Sequence, residues 1–147
     1  MFVYLIFLIG IIIISGLDFR FKWSVVPPWA VIVGFMASIP AVVIISLSAR
    51  ENTYLSDVVR IQEDRGHRVC TTGPYHYVRH PMYVGIIIMV FMLPLLLGSL
   101  YALIPAGLTA STFVVRTALE DKTLKMELSG YQEYAQKTRY RLLPGIW

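Results

Sequence analysis

Charge is scarce in this sequence. Of its 147 residues, 15% are Asp, Glu, Lys or Arg, against about 25% in soluble domains, which argues against an ordinary water-soluble globule. Residues 1–17, 23–49 and 80–115 carry no charge and together make up 80 positions. Cysteine is scarcer still. Cys70 stands alone, so neither an intrachain disulfide nor a four-cysteine metal site can form, and no base is placed beside it to make it a nucleophile. A glycine-rich nucleotide fingerprint, zinc-ligand spacing and a serine elbow are also missing. His67, His76 and His80 have no carboxylate or cysteine at metal-ligand spacing, so no metal is expected.

What is present is apolar: 56% of residues are hydrophobic and the mean hydropathy is +0.64. Uncharged runs of such length are candidates for crossing a bilayer, and the length allows one compact unit. The net charge of +4 does not point to nucleic acid. Eleven of the 13 Lys and Arg residues fall in two blocks, 48–79 and 116–147, beside apolar runs, the pattern of cytoplasmic faces.

The expected fold is all-α and polytopic, with about four transmembrane helices in a single domain, 1–147. Met1–Leu17 has neither the basic start nor the small-residue cleavage site of a signal peptide and reads as a short spanning helix. Asp18–Lys22 reads as a polar turn, with Trp23 and Trp29 at interfacial positions. A second helix is expected from about Val25 to Leu47, with Pro27 and Pro28 in its first turn and Pro40 kinking it. The run Pro81–Val115 is too long for one crossing, and Gly98-Ser99 divides it. Each half is about 16 residues, or about 24 Å of helix, against a core of about 30 Å. The hairpin puts both basic blocks on the cytoplasmic side and leaves Arg20 and Lys22 on the other.

Within the polar blocks, Tyr54, Leu55, Val58, Val59 and Gln62 are spaced for one face of an amphipathic surface helix. Gly66 and Thr71-Thr72-Gly73-Pro74 mark a loop. After the fourth apolar segment, Asp121 and Lys125 are an i,i+4 pair, and Leu119, Thr123, Met126 and Gly130 form a less polar face. Ser129-Gly130 reads as that helix's cap, with a short helix after it through Tyr131 and Tyr134. Arg139, Arg141 and Pro144 then lie at headgroup level.

The segment Gly73–Gly85 is a polar, aromatic, doubly basic loop running straight into an intramembrane helix. Pro81 fits the first helical position, which leaves the amides of Met82, Tyr83 and Val84 to begin the helix unpaired, a potential anion site. The aromatics suit stacking on a base or facing a cation. These residues alone leave two uses open, ligand chemistry at a helix start or a basic loop gripping lipid headgroups.

Arg79-His80-Pro81-Met82-Tyr83, followed by Glu120-Asp121, resembles the RHPxY…EE pattern of the isoprenylcysteine carboxyl methyltransferase family, which phospholipid N-methyltransferases share. Val58–Gln62, Gly66–Val69, Arg116–Asp121, Gly130-Tyr131 and Leu142–Pro144 extend the likeness over about residues 52–147. The resemblance implies S-adenosylmethionine as cofactor, lined by Gln62, His67, Arg68, Val69, Cys70, Tyr75, His80, Pro81, Met82, Tyr83 and Glu120. It implies that Arg116 binds the acceptor and serves as the catalytic residue. The acidic pair is Glu-Asp where the family has Glu-Glu, and the N-terminal membrane part is shorter than usual. The implied activity is in-line methylation of a prenylated cysteine carboxylate, or a similar lipophilic acid arriving from the bilayer. A phospholipid amine or small thiol as acceptor, or a non-catalytic protein of the same fold, are the alternatives.

Overall fold

The computed structural model describes residues 3–54, 66 and 68–147. Among these, every regular element is helical: α1 (Val3–Phe21), α2 (Pro28–Glu51), α3 (Pro81–Leu96), α4 (Leu103–Glu127) and α5 (Tyr131–Lys137), with a 3₁₀ turn at Gly73–His76. Two helices, α1 and α2, are long and apolar enough to cross a membrane, and α3 is a shorter apolar helix. Most of the expected surface helix at 52–62, with Leu55, Val58, Val59 and Gln62, lies outside the described residues, as does His67.

Helix boundaries follow local chemistry. Pro28 opens α2 and Pro81 opens α3, where a missing amide costs no helical hydrogen bond. Pro40 and Pro94 lie within α2 and α3 without ending either helix. Gly98, at φ +73°, forms the turn between α3 and α4 as its position in the sequence suggested.

The helices pair antiparallel. Along the α2–α3 seam, a methyl added to Gly34 would meet Leu95 Cβ at 3.3 Å, and one added to Gly85 would sit 2.6 Å from Ile45 Cγ1 and 2.8 Å from the Ala41 carbonyl oxygen. Small residues bring these backbones together, as they do where lipid offers no hydrophobic drive to association. Along the α1–α4 seam, Tyr4 meets Phe113 at a ring separation of 5.6 Å, and Gly10 faces Pro105. Ile11, Val90, Ala102 and Ala106 form the buried centre of the bundle. The start of α1, the end of α2, the start of α3 and the end of α4 therefore share one face, which carries the polar blocks.

One expectation is corrected. Asp18–Lys22 is not a turn. Helix α1 continues to Phe21, and Asp18 is buried at 1% exposure. Its carboxylate accepts bonds from the Ser24 amide (2.7 Å), the Ser24 hydroxyl (2.6 Å) and the Ser99 hydroxyl (2.5 Å). A charge that reads as a solvated turn instead ties α1 to the α3–α4 connection, because its oxygens are satisfied within the protein. On the less polar face read from the sequence, Leu119 and Met126 are exposed, at 59% and 66%. The inward stripe of α4 runs through Thr117, Asp121, Leu124 and Leu128, the last two packing with α5. Position around the helix decides this, since 117, 121, 124 and 128 repeat at helical spacing.

Candidate active site

The site is built where the segment before α3 meets the end of α4 and the tail. Gly73 holds φ +56°, and a Cβ there would lie 2.8 Å from Glu51 Cγ, so glycine lets the loop cross close over the end of α2. Glu51 also accepts a hydrogen bond from the Thr72 hydroxyl. Tyr75, in the 3₁₀ turn Gly73–His76, is buried. Its hydroxyl accepts from the Asn52 amide at 3.3 Å, and its carbonyl accepts from the Tyr134 hydroxyl at 2.6 Å. Burial pushes the Tyr75 hydroxyl up to about 12.

Residues 79–80 pair with the tail. The Arg79 amide donates to the Tyr140 carbonyl and the His80 amide to the Arg141 carbonyl, both at 2.9 Å. The Arg79 side chain is buried. Its Nη1 donates to the Thr138 and Arg139 carbonyls (2.8 and 2.7 Å), while Nε and Nη2 grip Asp121 at 2.6 and 3.3 Å. Asp121 also accepts from the Tyr131 hydroxyl at 3.1 Å, Arg141 Nε at 3.0 Å and Lys125 at 3.0 Å. The last of these is the i,i+4 pair expected from sequence. Burial alone would raise the Asp121 carboxyl. The His80 ring beside it and the bonds from Arg79 and Lys125 outweigh burial and hold it well below the usual carboxylate range. The neighbouring tyrosines, Tyr131 and Tyr134, are pushed up by burial.

A second set of contacts joins the start of α3 to α4. The Tyr83 hydroxyl donates to Glu120 Oε2 at 2.6 Å and accepts from Arg116 Nε at 2.8 Å. Arg116 and Glu120 lie one turn apart on α4, with Arg116 Nε 3.9 Å from Glu120 Oε2. The His80 ring stacks on Tyr83 at 5.8 Å and 3° between planes. His80 Nε2 is buried without a hydrogen-bond partner, since Asp121 Oδ1 at 3.7 Å is too far to accept from it. The expected free amides at the start of α3 are corrected: those of Tyr83 and Val84 donate to the His80 carbonyl, at 3.2 and 3.4 Å.

Between these sets lies a small open cleft, about 500 Å³ of space counting its mouth toward solvent. Arg68, Val69, Cys70, Tyr75, His80, Met82, Tyr83 and Glu120 line it, all of them candidates from sequence. Pro81 is buried at the first position of α3 and does not line it. Arg116 adjoins the cleft through Tyr83, while Gln62 and His67 lie outside the described residues. The cleft adds Asn52, Arg79, Leu124, Leu128, Tyr131 and Tyr134. Tyr131 and Tyr134 carried a usable signal, two aromatics at i,i+3 on a short helix. Asn52 and Leu128 carried none, because only the folding of distant segments brings them here.

The sequence profile of the Isoprenylcysteine carboxyl methyltransferase (ICMT) family matches residues 31–126. That stretch runs from within α2 to the last turn of α4, so it includes the segment before α3 and the Glu120-Asp121 pair and leaves α5 and the tail outside. No curated protein matches the sequence.

Proposed function

From the premise that this chain belongs to the isoprenylcysteine carboxyl methyltransferase family, we propose an S-adenosylmethionine-dependent enzyme that methylates the carboxylate of a prenylated cysteine or similar lipophilic acid. In this reading the protein is one domain with four transmembrane segments, α1, α2, α3 and α4 as far as Val115, and residues 116–147 lie on the cytoplasmic side. The cleft opens to the cytoplasm and the acceptor arrives from the bilayer.

The residues of the cleft fit the donor. A buried imidazole nitrogen lacking a partner marks a polar position that a ligand would complete. Aromatic walls at Tyr75, Tyr83 and Tyr131 suit a planar base and a cation, and Glu120 suits an ammonium or ribose hydroxyl. When bound, S-adenosylmethionine supplies a methyl group on a cationic sulfur.

This chain's residues supply position and exclusion of water. The single observation that carries the proposal is the relay Arg116–Tyr83–Glu120, in which one phenol joins a cation suited to an anionic acceptor to an acid beside the donor cleft. An acceptor carboxylate is already ionised at neutral pH, so no base is required. Arg116 aims its oxygen, ideally by a two-pronged contact, and closure of the apolar surroundings raises the rate through alignment and desolvation. The presence of Arg116 favours an acid over an amine as acceptor.

Titration of the detergent-solubilised protein with S-adenosylhomocysteine tests the donor site. Wild type binds and Glu120→Gln binds about tenfold or more weakly; no binding by wild type rejects the proposal. Methyl transfer to a farnesylcysteine analogue tests the acceptor role. Arg116→Ala lowers kcat/KM by about tenfold or more with a far smaller change in donor affinity, and unaltered acceptor kinetics would exclude the clamp.

A further inference from the structure

The tail beyond α5 does more than cover the site. Its course is set by three contacts: the Thr138 hydroxyl donates to the His76 carbonyl at 3.4 Å, and the Arg79 and His80 amides donate to the Tyr140 and Arg141 carbonyls. The tail therefore runs alongside 76–80 in the same direction, toward the point where α3 begins. Residues 142–147 continue from Arg141, whose carbonyl is held by the amide of His80, the residue directly before α3.

There the tail folds into a closed turn. The amides of Arg141, Leu142 and Leu143 donate to the Trp147 carbonyl, and those of Ile146 and Trp147 donate back to the Leu143 carbonyl. A turn that satisfies its own amides can enter a water-poor boundary at low cost. Leu142 is its buried anchor at 6% exposure, whereas Leu143 at 49% and Ile146 at 79% point away from the protein. Arg139, four residues before Leu143, is exposed, and Arg141 lies over the Trp147 ring at 4.8 Å. Exposed aliphatic side chains and a nearby basic group, on a tail tied to the residue before an apolar helix, match an anionic lipid boundary in both polarity and charge.

We infer that Leu143 and Ile146 seat in the cytoplasmic headgroup boundary of the protein's own membrane, with Arg139 against anionic lipid, and that this seating supports the donor cleft. The inference rests on the reading that α3 enters the bilayer and that the cleft binds the donor. Coupling runs through the tail itself. The Thr138 and Arg139 carbonyls hold Arg79, Arg141 holds Asp121, and the 140–141 carbonyls hold the backbone of the motif. Lipid that restrains the turn restrains these groups with it.

The test uses the full chain reconstituted in vesicles, with a polarity-sensitive fluorophore on Ile146→Cys in a Cys70→Ser background. In vesicles containing phosphatidylglycerol the label emits as from an apolar setting and is quenched by a shallow lipid-borne quencher. Adding Arg139→Gln weakens that insertion about fivefold. Water-like emission without quenching, in both phosphatidylglycerol and phosphatidylcholine vesicles, overturns the seating. For the coupling, the double variant Leu143→Asn/Ile146→Asn, on exposed positions, binds S-adenosylhomocysteine about tenfold more weakly in phosphatidylglycerol vesicles than the unaltered chain. Equal affinity alongside an inserted label overturns the coupling. Failure of the unaltered chain to bind S-adenosylhomocysteine would reject the donor reading, while the label still decides the seating.

Discussion

Tyr83 has the most consequential hydroxyl in the molecule. It donates to Glu120 and accepts from Arg116, so it uses both hydrogen-bonding capacities of a phenol to hold a cation and an acid in register. Tyr83→Phe keeps the ring stacked on His80 and removes the bridge. Hydrogen bonds to charged groups are worth about 1.5–3 kcal/mol, so kcat/KM for methyl transfer is expected to fall by about tenfold or more while the melting temperature changes little. A large fall in melting temperature with normal turnover would show that the hydroxyl serves the fold instead. The sequence showed Tyr83, Arg116 and Glu120 as separate candidates. It offered no sign that one hydroxyl joins all three, because 33 and 37 residues separate the partners of those bonds.

At the scale of elements, two contacts hold the helices in register. Gly85 lets α3 approach α2 so closely that a methyl would overlap Ile45 and the Ala41 carbonyl. Gly85→Ala should destabilise the bundle by about 1–3 kcal/mol, the usual penalty of overpacking, read as a lower thermal midpoint in detergent; an unchanged midpoint would mean that the seam yields. At the opposite end, Asp18 ties α1 to the turn before α4 through Ser24 and Ser99. Asp18→Ala strands those hydroxyls and should cost about 1–3 kcal/mol. Ser99→Ala, which removes one bond, should cost less, and thermal melts of the two variants give the order. Apolar runs and prolines made the four long helices legible in advance. The inward stripe of α4 was not legible, because Thr117 and Asp121 are polar: Thr117 is satisfied by the Phe113 carbonyl one turn back, and Asp121 by Arg79, Tyr131 and Arg141 from distant segments.

Across the whole molecule, ionisation limits stability on both sides. The Asp121 carboxyl is held below its ordinary value of about 3.9, so its contribution is complete above that pH and is lost as the pH falls further toward the folded-state value. Tyr75, Tyr131 and Tyr134 are raised. Their contribution is complete below about pH 10 and falls as the pH rises through the folded-state values, about 12 for Tyr75. Thermal midpoints in detergent should form a plateau with an acid limb below about pH 4 and an alkaline limb above about pH 10. Asp121→Asn should lower the plateau and flatten the acid limb; an acid limb of wild-type steepness in that variant would mean that other carboxylates set it.

Read by itself, the sequence determined the class of this protein. Long uncharged runs called for apolar helices, and the Arg79–Tyr83 motif with Glu120-Asp121 pointed to the family, because residue types and their local spacing are written directly in the chain. Tertiary structure decided what the remaining charges do. Asp18 became an internal tie and Asp121 a hub for Arg79, Lys125, Tyr131 and Arg141. The tail became a partner of the motif. A charge is buried or solvated according to which distant donors reach it, and that depends on how the helices and tail come together. The few charges whose scarcity defined the sequence are therefore the groups whose roles only the folded molecule assigns.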